Sequence, residues 1–316
     1  MTSSTRDLLV VGEALIGLVP EGGVALRRST SLKRLTVGAE VNVAVTASRL
    51  GHHVSWIGRV GNDLAGAAVI DDLRTEGVHV DHCIVDDHGP TGVLFRENVP
   101  LGAPKVSYAR SQSAGSRLAP GDIPEKVVRS HRMVLVSGVT AGISASGWES
   151  ANAVLELART TGVTSVFDMN YRAALWSHKD ARERLMTLAQ KADIVFGGAE
   201  EWRVVFNTDE PSSALLPQAS ALIRTDGQGP LQAWVGDEVL LQPAFTTHPI
   251  DVVGAGDAFV GGTVSALLAG ASWPVALRQG AYCGARSVSG LGDWTNLPWG
   301  VEGITAIPEN DQEVIR

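Results

Sequence analysis

Runs of consecutive apolar residues alternate along the chain with longer segments in which apolar residues recur every three to four positions. The runs at residues 7–13 and 53–58 have the length and composition of strands buried on both faces. The periodic segments at 40–50 and 64–76 each stop at a glycine, the usual residue after the last turn of a helix. The same alternation returns as strands at 133–137, 163–168 and 192–196 and as a helix at 146–161. Strands separated by helices predict an α/β fold with a doubly wound, mostly parallel sheet.

Two stretches interrupt this alternation, at about residues 15–36 and 91–110. Both contain short runs of alternating polarity with glycine or proline between them, a pattern typical of antiparallel hairpins. Hairpins beside the edge of a parallel sheet predict a small inserted β lid over a site, although ordinary surface loops would give the same pattern. Because no fixed-period repeat or low-complexity linker occurs, we expect a single domain that spans residues 1–316.

Composition and charge narrow the class of protein. The chain has 316 residues, of which 44% are hydrophobic and 19% charged, the balance of a globular protein. A net charge of −8, without a run of five like charges, argues against a nucleic-acid partner and against a membrane surface. No apolar run approaches the roughly 20 residues of a membrane span. The two isolated cysteines, Cys83 and Cys283, argue against a disulfide framework and suit the reducing cytoplasm, where we expect the protein.

One glycine-rich motif, residues 251–257, combines features suited to phosphate chemistry. It precedes an apolar helix predicted from about residue 258 to 269, so its small residues open that helix. The free backbone N–H groups of Gly254, Ala255, Gly256 and Asp257 would point out of the helix N-terminus, where the helix dipole favours negative charge. Asp257 in the first turn can accept the proton of an attacking hydroxyl. A tight turn with a capping aspartate also fits these residues, and the motif alone leaves both interpretations open.

Signatures of several other site types are absent from the sequence. There is no Gly-x-x-x-x-Gly-Lys-Ser/Thr phosphate loop, and no Gly-x-Gly-x-x-Gly follows the first strand. The Gly-x-Ser-x-Gly nucleophile elbow and the His-Glu-x-x-His zinc motif are missing as well. A phosphate-binding turn at residues 251–257 would therefore differ in type from these two nucleotide-binding loops.

Six short motifs follow one another along the chain. They are Gly38-Ala-Glu-Val-Asn42, Arg49-Leu-Gly51, Ile57-Gly-Arg-Val-Gly61-Asn-Asp63, Gly89-Pro-Thr-Gly92, Asp168-Met-Asn170-Tyr-Arg172 and Gly254-Ala-Gly-Asp257. In this order and spacing they resemble the ribokinase/PfkB family of sugar kinases, from about residue 8 to residue 298. The resemblance implies a ribokinase-like fold and a reaction in which the γ-phosphoryl group of ATP passes to a sugar hydroxyl, assisted by Mg²⁺. It assigns Asp257 as the base, with an anion hole formed by Gly254, Ala255 and Gly256.

The same resemblance implies where the two substrates bind. Gly38 and Asn42 fall on the sugar side, although Asn42 could instead cap the helix that follows. The implied ATP-side residues are Asn170, Glu201, Arg224, Asp226, Gly227, Gly229, Gly254 and Gly256.

Three departures from the family pattern affect the phosphate side. Glu201 is kept as a residue that would hold the metal through water, but Gly198 stands where the family has asparagine. Asp226 replaces a glycine, and we interpret it as a turn residue rather than a ribose ligand. Val252 and Val253 replace threonines, which argues against a monovalent-cation site.

Within the family, the sequence is most similar to kinases of 2-keto-3-deoxygluconate. The segments that carry this likeness are Tyr108-Ala-Arg110, Ser113-Ala-Gly-Ser116, Ser137-Gly-Val-Thr140, Asn170-Tyr-Arg172 and Gly292-Asp-Trp294. The likeness implies that Tyr108, Arg110 and Arg172 contact the acid sugar. A sugar carboxylate suits an arginine fork, so the two arginines could hold it while a distant hydroxyl faces Asp257. Surface or phosphate-facing arginines remain the alternative.

Other functions stay open at this level. Leu94 and Val37 replace a tyrosine and a glycine of the sugar pocket, so a kinase of a neutral sugar such as fructose or ribose is one alternative. A sugar-sensing relative without turnover is another, since Gly198 and Asp226 also depart from the family pattern. A nucleoside kinase is disfavoured because no added aromatic clamp for a base is evident. The family resemblance also makes a homodimer through the lid plausible.

Overall fold

A central sheet of eight strands runs through the computed structural model, which describes residues 6–21, 24–97, 105–227 and 229–300. Six neighbouring strands of this sheet are parallel, and an antiparallel hairpin extends one edge. The strands are β1 (Arg6–Val11), β4 (Val54–Ile57), β9 (His131–Ser137), β10 (Thr164–Asp168), β11 (Ile194–Gly198), β12 (Ala221–Thr225), β13 (Leu231–Val235) and β14 (Glu238–Gln242). Their spatial order is β14-β13-β12-β11-β10-β9-β1-β4.

Helices cover both faces of the sheet, which confirms the predicted doubly wound α/β fold. Successive residues of β1 separate the two layers: Leu8 belongs to one buried cluster and Leu9 to the other, because side chains alternate along a strand. The helices are α1 (Ala39–Arg49), α2 (Leu64–Thr75), α3 (Glu125–Arg129), α4 (Gly138–Ile143), α5 (Ala145–Thr161), α6 (His178–Ala189), α7 (Ala199–Phe206), α8 (Ala255–Leu268) and α9 (Trp273–Ser287). Among the described residues, no helix is both long and apolar enough to cross a membrane.

Helix ends follow the local sequence signals. The Asp63 carboxylate accepts a hydrogen bond of 2.7 Å from the Gly66 N–H and so caps α2. Gly162 takes the left-handed conformation after α5, with φ of 72°. The sequence placed the start of α8 at about residue 258, which is wrong by three residues. Ala255 and Gly256 are small enough for the helix to begin directly after the turn at Gly254, so Asp257 lies in its first turn.

A second sheet, called here the small sheet, has four strands: β2 (Leu15–Pro20), β3 (Leu32–Val37), β7 (Val93–Glu97) and β8 (Lys105–Ala109). Their spatial order is β3-β2-β7-β8. The pairs β2–β3 and β7–β8 are antiparallel, but β2 and β7 pair in parallel where the two segments meet. A further two-stranded sheet joins β5 (Arg59–Gly61) to β6 (Ile84–Asp86).

Candidate active site

Several of the predicted site residues follow the carboxyl ends of the central strands. β1 lies between β4, the next strand of this sheet in the chain, and β9, so the direction of winding reverses beside β1. In open α/β sheets, ligands bind outside the strand ends at such a reversal. Glu13 follows β1 there, and Asn170 follows β10. Residues of the small sheet and Asp257 line the same cavity, so the small sheet lies over this end of the central sheet.

The turn at residues 254–257, called here the anion turn, presents the start of α8 to open space. Gly254 adopts φ of 81°, a conformation that glycine takes without strain, and no side chain caps the helix. The first backbone N–H groups of α8 have no partner within the helix. A Cβ added to Gly256 would meet no atom within 4 Å, so a ligand can approach the backbone there. The anion turn therefore combines free donors, a helix dipole and steric access for an anion.

Asp257 is buried, with 7% of its surface exposed, and two amides hold its carboxylate. Asn42 donates to one oxygen at 2.8 Å, and Asn170 donates to the other at 3.1 Å. Burial raises the pKa of Asp257 to about 7, against the opposing effects of the Asn42 hydrogen bond and the Arg172 charge. A carboxyl group with this pKa is matched to accept a proton near neutral pH.

A cavity of about 130 Å³, called here the inner cavity, lies between the small sheet and the anion turn. All six residues predicted to contact the sugar are among those that line it: Gly38, Asn42, Tyr108, Arg110, Arg172 and Asp257. They come from β8 of the small sheet, from α1, from the segment after β10 and from α8, so only the folded chain brings them together.

The two arginines of the inner cavity differ in their partners. Arg110 pairs with the Glu13 carboxylate at 2.7 Å and lies over the Tyr108 ring, with its guanidinium carbon 4.1 Å from the ring centre. Burial raises the pKa of Glu13 to about 7, although the Arg110 charge opposes that shift. Arg172 has no ion pair with any described carboxylate, and its hydrogen bond goes to the Tyr171 carbonyl at 3.4 Å. It lines both the inner cavity and a neighbouring acidic one, so its charge is available to a ligand.

Asn42 is not the cap of its helix, because Gly38 occupies the N-cap position of α1. Its side-chain amide instead joins two carboxylates, donating to Asp257 at 2.8 Å and to Asp293 at 2.9 Å. Its side-chain carbonyl accepts a hydrogen bond of 2.7 Å from the Trp294 indole. The cap interpretation was therefore wrong, because the polar atoms of Asn42 engage Asp257, Asp293 and Trp294 instead.

A larger groove of about 470 Å³, called here the outer groove, opens on the other side of the anion turn. Of the predicted ATP-side residues, Asp226, Gly227, Gly229 and Gly256 line it. Its apolar part includes Phe245, Val252, Phe259, Ala281 and Val288.

Other predicted ATP-side residues lie elsewhere. Arg224 donates to the Gln232 side chain at 3.0 Å and is not among the lining residues of the outer groove. Gly254 faces the inner cavity. Asn170 lies behind the anion turn, where it joins Asp257 to Asp168.

An acidic cavity of about 420 Å³ adjoins the outer groove and is lined by Glu200, Glu201 and Asp226, among others. The Glu201 carboxylate accepts hydrogen bonds from the backbone N–H groups of Gly198 and Tyr171. Burial raises the pKa of Glu201, opposed by those backbone bonds. Within the described residues, no group of three or more His, Cys, Asp or Glu side chains could form a metal cage. Such a donor set would suit Mg²⁺ only if phosphate and water supplied most of its ligands.

The site also contains charged residues to which the sequence motifs assign no role. Glu13 and Asp293 line the inner cavity, and Arg96 of β7 lines it with them. Glu40 is fully buried beside them and accepts hydrogen bonds of 2.6 Å from the Ser137 and Thr140 hydroxyls. Two of these residues could have been noticed in the sequence. Glu13 interrupts an otherwise apolar segment, and Asp293 lies in the segment Gly292-Asp-Trp294, which is similar to 2-keto-3-deoxygluconate kinases.

Comparison with known proteins agrees with this geometry. The family described as pfkB family carbohydrate kinase matches residues 5–299. A 2-dehydro-3-deoxygalactonokinase of Haloferax volcanii is 33% identical over 295 residues, which cover 90% of this chain and 92% of that protein. A 2-dehydro-3-deoxygluconokinase of Bacillus subtilis is 30% identical and covers 92% of both chains. The crystal structure of a PfkB protein from Polaromonas sp. aligns with a TM-score of 0.84 at 32% identity, over 91% of this chain and 97% of that one.

The fold, the anion turn and these likenesses define a carbohydrate kinase, a phosphotransferase with an alcohol group as acceptor. The chain belongs to the pfkB family of carbohydrate kinases. The family and fold predicted from the six motifs are thereby confirmed.

Proposed function

We propose that this kinase transfers the γ-phosphoryl group of ATP to a hydroxyl of a 2-keto-3-deoxy sugar acid, the gluconate or its galactonate isomer. The observation that carries the proposal is the position of the anion turn between two cavities. Gly254 and Asp257 line the inner cavity, whereas Ala255 and Gly256 line the outer groove. A phosphoryl group that passes from a nucleotide in the outer groove to a sugar in the inner cavity would cross this turn.

Each part of the site has a role in that transfer. Asp257 accepts the proton of the attacking hydroxyl, and Asn42 and Asn170 hold its carboxylate in place. The N–H groups of the anion turn stabilise the charge that develops on the phosphoryl oxygens. Glu201 would hold Mg²⁺ through water beside the phosphates, and the bound ion would supply further neutralisation of that charge. The small sheet serves as a lid that excludes water from the inner cavity.

The acid-sugar assignment rests on the charge of the inner cavity. Arg172 is unpaired among the described carboxylates and faces both the inner and the acidic cavities. Arg110 provides a second guanidinium, fixed by Glu13 and by the Tyr108 ring. A planar fork suits a carboxylate, and a neutral sugar would leave the Arg172 charge without a partner. The names of the two relatives at 33% and 30% identity agree with this substrate class.

Release of ADP from ATP and Mg²⁺ tests the proposal across five acceptors. These are 2-keto-3-deoxygluconate, 2-keto-3-deoxygalactonate, fructose, ribose and adenosine. We expect turnover on one or both acid sugars and little on the others. Turnover on a neutral sugar alone would discard the acid-sugar assignment and keep the kinase mechanism. Sugar binding without turnover on any acceptor would favour the sensing relative.

A single methyl group at Gly256 should separate catalysis from folding. A Cβ at this position meets nothing within 4 Å, so Gly256→Ala should fold normally and reach a melting temperature no lower than that of the wild type. The same methyl group enters the space where we place the phosphoryl group, so kcat should fall about tenfold or more.

Gly254→Ala is the matched comparison for this variant. Gly254 has φ of 81°, and a Cβ there would lie 2.9 Å from the Asp293 Cβ, so this variant should lose both stability and activity. Thermal unfolding and steady-state kinetics give the melting temperature and kcat of the two variants for comparison. Unchanged kcat in Gly256→Ala would contradict the placement of the phosphoryl group.

A further inference from the structure

A buried arginine connects the small sheet to the two ends of the anion turn. Arg96 lies on β7 of the small sheet, and only 2% of its side chain is exposed. Its guanidinium pairs with Asp251 and lies 3.5 Å from an oxygen of Asp293. Both carboxylates are equally hidden, with 1% and 3% of their side chains exposed. A buried guanidinium between two buried carboxylates is costly to desolvate, so it is weak evidence for stability alone.

Asp251 links Arg96 to the backbone at the start of the anion turn. One Asp251 oxygen accepts hydrogen bonds from Arg96 and from the Gly292 N–H, the latter at 3.1 Å. The other oxygen accepts from the Val253 N–H at 3.2 Å, directly before Gly254. The backbone that leads into the anion turn is therefore held by a carboxylate whose counter-charge comes from the small sheet.

Asp293 links Arg96 to Asp257, the proposed base, through Asn42. It packs against Gly254, since a Cβ on that glycine would lie 2.9 Å from its own Cβ. Its second oxygen accepts from the Asn42 amide at 2.9 Å, and the same amide donates to Asp257 at 2.8 Å. Three contacts thus lead from Arg96 to the carboxylate that accepts the proton.

We propose that Arg96 is a positioning residue, which holds the anion turn and Asp257 in their reactive arrangement as long as the small sheet lies over the site. Arg96 itself does not touch the reacting atoms; it acts through Asp251 and through the Asp293–Asn42 pair. The proposal rests on the proposed roles of Asp257 and the anion turn. On this proposal the small sheet has a second role besides covering the sugar. When it lies over the site, its Arg96 supplies the positive charge that pairs with the Asp251 and Asp293 carboxylates.

Three variants and one control test this role with whichever acceptor the wild type phosphorylates. Arg96→Gln removes the charge, and Arg96→Lys keeps the charge but loses the planar fork. Arg96→Gln alone would leave the Asp251 carboxylate buried without a positive partner. The double variant Arg96→Gln/Asp251→Asn removes that carboxylate as well. Arg34→Gln is the control, since Arg34 also belongs to the small sheet but pairs with Asp72 of α2 rather than with Asp251 or Asp293, and 46% of its side chain is exposed.

The expected result separates positioning from stability. In Arg96→Gln, kcat should fall about 100-fold, the scale of a misplaced catalytic group, while the KM for ATP changes little. Arg96→Lys should lose less, and Arg34→Gln should stay within about twofold of the wild type. In the double variant, the melting temperature should recover while kcat stays low, because the connection is still missing. A wild-type kcat in Arg96→Gln, or a kcat that recovers together with the melting temperature, would overturn the proposal.

A measurement without substrate keeps this test independent of the proposed reaction. Backbone hydrogen exchange over residues 251–257 should be faster in Arg96→Gln and in the double variant than in the wild type, and unchanged in Arg34→Gln. Equal exchange in all four proteins would overturn the role of Arg96 even if the enzyme phosphorylates an acid sugar. Absence of turnover in the wild type would count against the proposed function alone.

Discussion

Asp257→Asn is expected to lower kcat about a thousandfold and to leave the protein folded. General base catalysis contributes roughly 10²- to 10⁴-fold, and an amide of the same shape cannot accept the proton of the attacking hydroxyl. The amide can still occupy the place of the carboxylate between Asn42 and Asn170. Asp71→Asn is a matched control, since 76% of the Asp71 side chain is exposed and it pairs, among the described residues, only with Arg74 on its own helix, so its kcat should not change.

The pH dependence of stability shows whether that loss is catalytic. Because the pKa of Asp257 is raised from 3.8 to about 7, the folded state binds a proton more tightly than the unfolded state does. The contribution of this group to the free energy of unfolding therefore falls as pH rises from about 4 to about 7. Asp257→Asn removes that decrease, so above pH 7 the variant should be at least as stable as the wild type.

Three measurements decide this prediction. They are single-turnover phosphoryl transfer, thermal unfolding across the pH range, and the pH profile of wild-type kcat/KM. The last should fall about tenfold per pH unit below the pKa of the base. A variant that is inactive and also unfolded would leave the catalytic role unsupported, and a variant with substantial turnover would refute it.

Local patterns in the sequence were sufficient to predict the framework of the site. Strand, helix and turn signals depend on neighbouring residues, so the layers of the sheet and the helix ends before glycines follow from short segments. The residues around Asp257 form one continuous motif, and its chemistry is determined by backbone conformation at Gly254 and by the start of a helix. The structure differs there in where α8 begins and in the cavity that Gly254 faces.

Pairings between distant residues could not be predicted in this way. Arg110 and Glu13 are 97 positions apart, and Asn42 and Asp293 are 251 positions apart, yet both pairs form through side chains in the folded site. Asn42 has an amide that suits a sugar hydroxyl equally well, so its residue type cannot reveal that Asp257 and Asp293 engage it. The parallel pairing of β2 with β7 was missed for the same reason, because each hairpin pattern is local and their joining is not.

Arg172→Gln is expected to lower kcat/KM for an acid sugar about 100-fold, since charged hydrogen bonds contribute roughly 1.5–3 kcal/mol each. The KM for ATP should change far less. Arg110→Ala should cost less, about tenfold, because Glu13 already shares the charge of Arg110 at 2.7 Å. Arg129→Gln, which removes a surface arginine paired with Glu125, is the control and should behave as the wild type.

Comparison of acid and neutral acceptors shows why kcat/KM falls in Arg172→Gln. A carboxylate clamp predicts a large loss on the acid sugar and a small one on any neutral sugar that the enzyme accepts slowly. Equal losses on acid and neutral acceptors would show instead that Arg172 acts on the phosphate or on the base. Steady-state kinetics with 2-keto-3-deoxygluconate and fructose, on the same preparations, distinguish the two cases.

The pH profile separates the two roles of the Arg172 charge. Besides facing the ligand, the guanidinium lowers the pKa of Asp257 against the effect of burial. In Arg172→Gln that pKa should rise above about 7, so the acidic limb of kcat/KM should move to higher pH with every acceptor. Arg172→Lys keeps the charge without the planar fork, so its limb should stay in place while its affinity for the acid sugar falls. A limb that moves equally in both variants would show that the shape of the guanidinium, rather than its charge, sets the pKa of the base.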